Sequence, residues 1–195
     1  MRYLAENKVV VIVGIPGVGK TTLLSRIEEA VRGRDRSVCV VSFGTLMLEA
    51  AREGDGGDRD GLRRMPVSEQ RRLQEEAARR ISSRDEEVVI VDTHAFVSSP
   101  EGYYPGLPEH VLRIIRPTNF VSVSAKPEEI YNRRMGDPSR KRDKITIPNI
   151  KKELDIQSGM ISACSVLTGC PVKHVLNVEG KAEEATEKIM GAIGL

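Results

Sequence analysis

The chain has 195 residues, of which 39% are hydrophobic and 30% charged, with a formal net charge of +2 and a sequence pI of about 8.4. That is a globular composition with length for one domain, residues 1–195, and a real core, and so slight a positive charge does not demand a nucleic-acid partner. Cys39, Cys164 and Cys170 form no C-x-x-C, and no apolar run suits a signal h-region or a membrane span, so we expect reduced thiols in a cytoplasmic protein with no membrane and no specific nucleic-acid partner.

The first predicted element is a short strand of β-branched residues over 9–13. It runs into Gly14, Ile15, Pro16, Gly17, Val18, Gly19, Lys20, Thr21 and Thr22, which fit the phosphate-loop pattern G-x-x-x-x-G-K-[ST]. The glycines let the backbone curl so that successive N–H groups form an anion nest. The helix that starts near Lys20 aims its positive dipole end at the same place. Lys20 adds a full charge for the outer phosphates, and the Thr21 hydroxyl is a hard oxygen ligand for Mg2+.

Leu23, Leu24, Ile27 and Val31 recur at helical spacing over 22–32, and Gly33 stops that helix. A second apolar strand covers 38–41, too continuous to be half exposed, and Gly44 ends it. A short helix around 46–51 and a glycine-rich turn over 53–58 follow, then a basic cluster that holds Arg59 and Arg63. A helix is predicted over 68–81, with Ser68 as its cap but Arg71 where a capping box needs an acid. Its arginines suit a solvated helix face.

The third strand, 88–92, ends in Asp92, an acidic strand end that suits a Mg2+ or metal-water contact beside a phosphate loop. Thr93 and His94 follow, and His94 is left between two roles, a ligand contact or a donor to a buried carbonyl. Residues 98–108, rich in Pro, Gly and Tyr, read as a stiff loop at a strand's carboxyl end, where ligands bind in open α/β sheets. A short helix (109–115), a fourth strand (120–124) and a helix begun by Pro127 come next. The arginine-dense stretch 133–146 reads as a mobile lid that brings cations over phosphates when both substrates are bound. A long helix over 147–167, interrupted in regularity at Ser158-Gly159, a fifth strand (172–178) and a closing helix (181–193) complete the chain. This alternation predicts a three-layer α/β/α fold around a five-stranded parallel sheet.

With the elements in place, the chain resembles the archaeal-type adenylate kinases, a family of phosphate-loop (P-loop) kinases, over nearly its whole length. The likeness rests on the loop itself, on Arg59-Asp60 with Arg63, and on Pro66-Val67 with Gln70, Leu73-Gln74 and Ala77-Ala78-Arg79. It continues through Asp92-Thr93-His94-Ala95, Gly102-Tyr103, Pro105-Gly106-Leu107-Pro108, Arg133 with Asp137, Arg140 and Arg142, and Leu167-Thr168-Gly169. The resemblance implies Mg2+-dependent, reversible transfer of the ATP γ-phosphoryl group to AMP, giving two ADP, in a homotrimer. It implies that Lys20, Arg133, Arg140 and Arg142 act on the transferring group, with residues 14–22 binding ATP and Thr21 and Asp92 on the metal. AMP falls to Arg63, Arg59, Thr93, His94, Gly102 and Tyr103, with 43–84 as acceptor-binding helices. Three positions depart from the family pattern: Thr45 stands where an acid is usual, Ser98-Ser99-Pro100 lacks a basic residue, and no Arg lies near Ser158-Gly159-Met160.

The nearest alternative is another kinase; a GTPase switch and a motor ATPase belong to a different class. A kinase for CMP, UMP or a metabolite hydroxyl would keep the same donor half. A GTPase switch would need D-x-x-G after the third strand and an N-K-x-D guanine reader; Asp92-Thr93-His94-Ala95 has no glycine, and Asn7-Lys8 lacks the Asp. Thr93 also stands where a motor ATPase would carry its hydrolytic Glu.

Overall fold

A computed structural model describes residues 7–53, 61, 65–99, 101–136 and 146–195. The five long strands are β1 (Lys8–Val13), β2 (Val38–Ser42), β3 (Val88–Thr93), β6 (Asn119–Ser124) and β7 (Val172–Leu176), and they form one sheet in the order β2-β3-β1-β6-β7. All four pairings are parallel. β1 is central: Val13 sits opposite Thr93 of β3 on one side and Ser122 of β6 on the other. Strands in sequence order thus pass first to one side of β1 and then to the other, which opens a crevice at the carboxyl ends of β1, β3 and β6.

The continuous apolar run of β1 follows from burial on both faces. Val10 and Ile12 face a core shared with Leu23, Ile27 and Val31 of α1 (Lys20–Arg32) and Ile189 of α7 (Ala182–Ala192). Val11 and Val13 face the opposite core, built with Ala77, Ala78 and Ile81 of α3 (Val67–Ser82), Val111, Leu112 and Ile115 of α4 (Glu109–Ile115), and Ile161 and Cys164 of α6 (Ile147–Thr168). The expected three layers and five parallel strands are present. α2 (Phe43–Glu53) adds Phe43 and Leu46 to the core that holds Val11 and Val13, and also packs on α3 through a small satellite cluster of Ala50, Ala51 and Leu73. Arg72 and Arg79 of α3 pair along their own helix, with Glu69 and Glu75, as a solvated face does, while Arg80 pairs with Glu76 and also with Glu53 of α2.

Several local expectations change. The 98–108 region is not simply a loop: β4 (Phe96–Ser99) and β5 (Gly102–Pro105) form an antiparallel hairpin, with Ser98 opposite Tyr103. Gly106 is required just beyond it, because a Cβ there would run into the His94 carbonyl oxygen. Gly44 does not separate strand from helix; α2 begins at Phe43 directly after β2. Ser68 is not the cap of α3, since Pro66 occupies that position and its fixed φ starts the helix earlier. Ser158-Gly159 does not interrupt α6, which continues from Thr146, whose side chain accepts the Asn149 N–H, to Gly169 at φ 72°. Ile150, Gln157, Ile161 and Cys164 keep a buried stripe through the glycine, and that stripe outweighs its low propensity. No described helix is long and apolar enough to cross a membrane. The two basic clusters at Arg59 and Arg63, and at Arg140 and Arg142, lie outside the described residues.

Candidate functional site

The loop between β1 and α1 is fastened at its hydrophobic residues. Ile15 and Val18 are 3% and 0% exposed and sink into the core beneath it, so the backbone between them must stand at the surface. Gly17 and Gly19 adopt φ of 92° and 85°, a left-handed conformation that a side chain would strain. Gly19 is also the N-cap of α1, where no side chain caps and no acidic residue occupies the first turn. The orphan N–H groups and the positive dipole end of α1 are therefore available to an anion.

Lys20 opens α1 and reaches across to β3. Its Nζ lies 2.7 Å from Asp92 Oδ1 and donates to the Thr93 carbonyl at 2.6 Å. A buried ammonium must be matched by acceptors, and these two supply the match. Burial pulls the Lys20 pKa down, and the Asp92 carboxylate opposes that pull. Asp92 Oδ1 is buried and, beyond this ion pair, no directed hydrogen bond reaches it. Asp92 thus keeps a carboxylate oxygen with spare lone pairs, and Thr21, next to Lys20 in the chain, is exposed; carboxylate and hydroxyl are the hard oxygen donors that fit Mg2+ and its waters. Among the described residues there is no cluster of three or more His, Cys, Asp or Glu that would hold a metal without help from a ligand.

The loop's carbonyls are taken from outside by four side chains. His94 Nδ1 lies 2.9 Å from the Gly14 carbonyl, which is the second of the two roles open to it. Arg134 Nε donates to Pro16 O at 2.8 Å and Arg133 Nη1 to Gly17 O at 3.2 Å. Asn177 Nδ2 donates to Val18 O at 2.8 Å. Both arginines come from α5 (Pro127–Met135), and Asn177 follows β7.

Of the expected acceptor residues, Thr93 is buried and contributes its carbonyl to Lys20. Tyr103 lies on β5, its ring edge-on to Phe96 at 5.2 Å, with Lys152 Nζ of α6 5.7 Å from its centre. Gly102 begins β5 at φ 136°. Topology thus brings the hairpin, Asp92 and the loop to one end of the sheet, while Arg59, Arg63, Arg140 and Arg142 lie outside the described residues. Sequence reasoning missed Arg134 and Asn177. Arg134 was one of several arginines in a run; Asn177 had only its position past a strand's carboxyl end. It also missed Gln157, buried on α6, whose amide donates to Ser122 Oγ and Val123 O, each at 3.0 Å.

A family model described as an AAA domain matches residues 13–151. The chain is 37% identical over 187 residues to an adenylate kinase of Methanocaldococcus jannaschii, covering 95% of this chain and 97% of that one. It is 38% identical over 186 residues to an adenylate kinase of Thermoplasma acidophilum, covering 95% and 98%. Among solved structures, a shikimate kinase from Bacteroides thetaiotaomicron superposes with a TM-score of 0.59 at 12% identity, covering 96% of this chain and 99% of that one, a likeness of fold.

Proposed function

From the premise that this chain belongs to the archaeal-type adenylate kinase family, we infer that it transfers the γ-phosphoryl group of ATP to AMP, reversibly, giving two ADP. The observation that carries this reading is the meeting of Lys20 and Asp92 at 2.7 Å, at the carboxyl ends of β1 and β3 and beside an uncapped helix N-terminus. Phosphoryl transfer needs no strong base and no covalent nucleophile. It needs two nucleotides in line and fixed positive charge where charge moves.

In this reading the N–H groups of the loop and of the first turn of α1 hold the ATP phosphates. Lys20 holds the transferring group by exchanging its acceptors on Asp92 and Thr93 for phosphoryl oxygens. Its burial supports the role, because a charge in a site of low dielectric acts more strongly than one in water. Thr21 and Asp92 would hold Mg2+, which when bound neutralises phosphate charge and orients the chain of phosphates. Arg133 reaches the loop at Gly17 and stands at the base of the stretch 133–146, which we read as the lid that brings Arg140 and Arg142 to the transferring group.

The acceptor half is assigned to residues 43–84 and to the hairpin. The family resemblance supports Arg63 and Arg59 on the AMP phosphate, with His94, Thr93, Gly102 and Tyr103 along the nucleotide. We further assign a cytoplasmic homotrimer, on the family resemblance, with the three free thiols supporting a reducing compartment. A panel of AMP, CMP, UMP and GMP, each with ATP and Mg2+, tests the acceptor. We expect ADP from AMP at a rate at least about tenfold above the other three; a preferred pyrimidine acceptor would overturn the AMP assignment while leaving the donor half intact.

A further inference from the structure

The loop's ability to present N–H groups is maintained by residues that never need to touch a nucleotide. A peptide unit is planar, so its N–H points opposite to its C=O. A donor that holds the carbonyl outward holds the next residue's N–H inward. Two planes in this loop need such holding most, the one between Pro16 and Gly17 and the one between Val18 and Gly19. Each is followed by a glycine at positive φ, and glycine offers the least resistance to rotation of the preceding plane.

Those two planes are held by Arg134 and Asn177. Arg134 is 8% exposed; its Nη2 donates to Glu153 Oε2 of α6 at 2.7 Å while its Nε holds Pro16 O. The guanidinium is thus fixed at two ends and cannot swing away without abandoning a buried charge. Asn177 is 5% exposed, and its own N–H is tied to Ser124 O of β6 at 2.8 Å. The glycines also make room for the clamp. A Cβ on Gly17 would lie 3.2 Å from Arg134 Cγ, and one on Gly19 would collide with the Asn177 amide.

We propose that Arg134 and Asn177 are positioning residues of the donor site: each locks one flippable peptide plane so that the N–H groups of Gly17 and Gly19 face the phosphate chain. The proposal rests on the donor-site reading above. Because Arg134 leaves α5 at the base of the 133–146 stretch and is braced on α6, it also ties the loop to that base.

The test uses the full chain and inorganic tripolyphosphate, with AMP as a second probe, by calorimetry. Asn177→Ala and Arg134→Met remove the two donors; Arg134→Lys keeps the charge but cannot span Pro16 and Glu153 together. Amide hydrogen exchange at Gly17 and Gly19 is followed in parallel. Each of the three variants should weaken tripolyphosphate about tenfold or more, leave AMP affinity within about twofold, and speed exchange at the glycine behind the lost donor. Parent-like tripolyphosphate affinity in Asn177→Ala and Arg134→Lys would overturn the proposal. So would full affinity in Arg134→Lys with loss in Arg134→Met, because charge and not the locked plane would then be responsible. If Arg134→Met does not fold, Asn177→Ala and Arg134→Lys decide. Parent protein that binds no tripolyphosphate overturns the donor-site reading itself, an outcome distinct from variants that bind as the parent does.

Discussion

In the proposed reaction, Lys20 is the residue assigned the largest share of the chemistry. Its ammonium is buried, paired with Asp92 and bonded to Thr93 O, so it is already oriented where phosphoryl charge would develop. Lys20→Met keeps the stem and removes the charge. Turnover should fall by at least about a hundredfold in a protein that still unfolds cooperatively, with some loss of stability because Asp92 loses its partner; steady-state kinetics and thermal unfolding read the two separately, and turnover above about a tenth of the parent's would contradict the role. Cys39 offers a second test at this scale. Burial, with Glu86 as the next cause, pushes its thiol up to about 11. The thiolate is the reactive form, so alkylation of Cys39 followed by mass spectrometry should be slow at pH 8 and accelerate about tenfold per pH unit until that value is approached. The residues that sequence reasoning reached and those it missed divide by how their roles arise. The roles proposed for Lys20, Thr21 and the loop glycines follow from fixed covalent spacing, and Asp92 ends an apolar strand, so a local pattern points to each. Arg134 and Asn177 act only because the fold brings α5 and the end of β7 onto the loop from more than a hundred residues away, and no local pattern records that.

At the scale of elements, two glycines illustrate opposite demands. Gly159 lies in the middle of α6, exposed, with nothing within 4 Å of where a Cβ would stand. Gly159→Ala should therefore stabilise the protein by about 0.5–1 kcal/mol, raising the melting temperature by a few degrees. Gly106→Ala should do the reverse. Its Cβ would meet the His94 carbonyl, forcing apart the turn that ends the hairpin and drawing the His94 ring from Gly14 O. A loss of about 1–3 kcal/mol in denaturant unfolding is expected, together with weaker ATP binding. The hairpin itself was hard to read from sequence for a physical reason. Its strands are four residues each, carry Ser98, Ser99, Gly102 and Pro105, and so look like turn chemistry until Phe96 and Tyr103 are seen to pack edge to face. The long strands escaped this ambiguity because burial on both faces demands an unbroken apolar run.

At the scale of the molecule, a central β1 flanked by β3 and β6 gathers the loop, Lys20, Asp92 and the hairpin at one end of the sheet. One half of that end, the loop with Lys20, Thr21 and Asp92, is the half we propose to bind a chain of phosphates. The other half, α2, α3 and the hairpin, we assign to the second nucleotide; α2 and α3 share the satellite cluster of Ala50, Ala51 and Leu73 besides their places in the main core. A two-substrate kinase and a one-substrate hydrolase share the first half and differ in the second. The most direct measurement is phosphorus NMR of ATP and Mg2+ with and without AMP. We expect no consumption of ATP alone on the timescale of turnover, and two ADP formed for each AMP consumed when AMP is added. ATP converted to ADP and inorganic phosphate at a rate indifferent to AMP would contradict the two-substrate kinase.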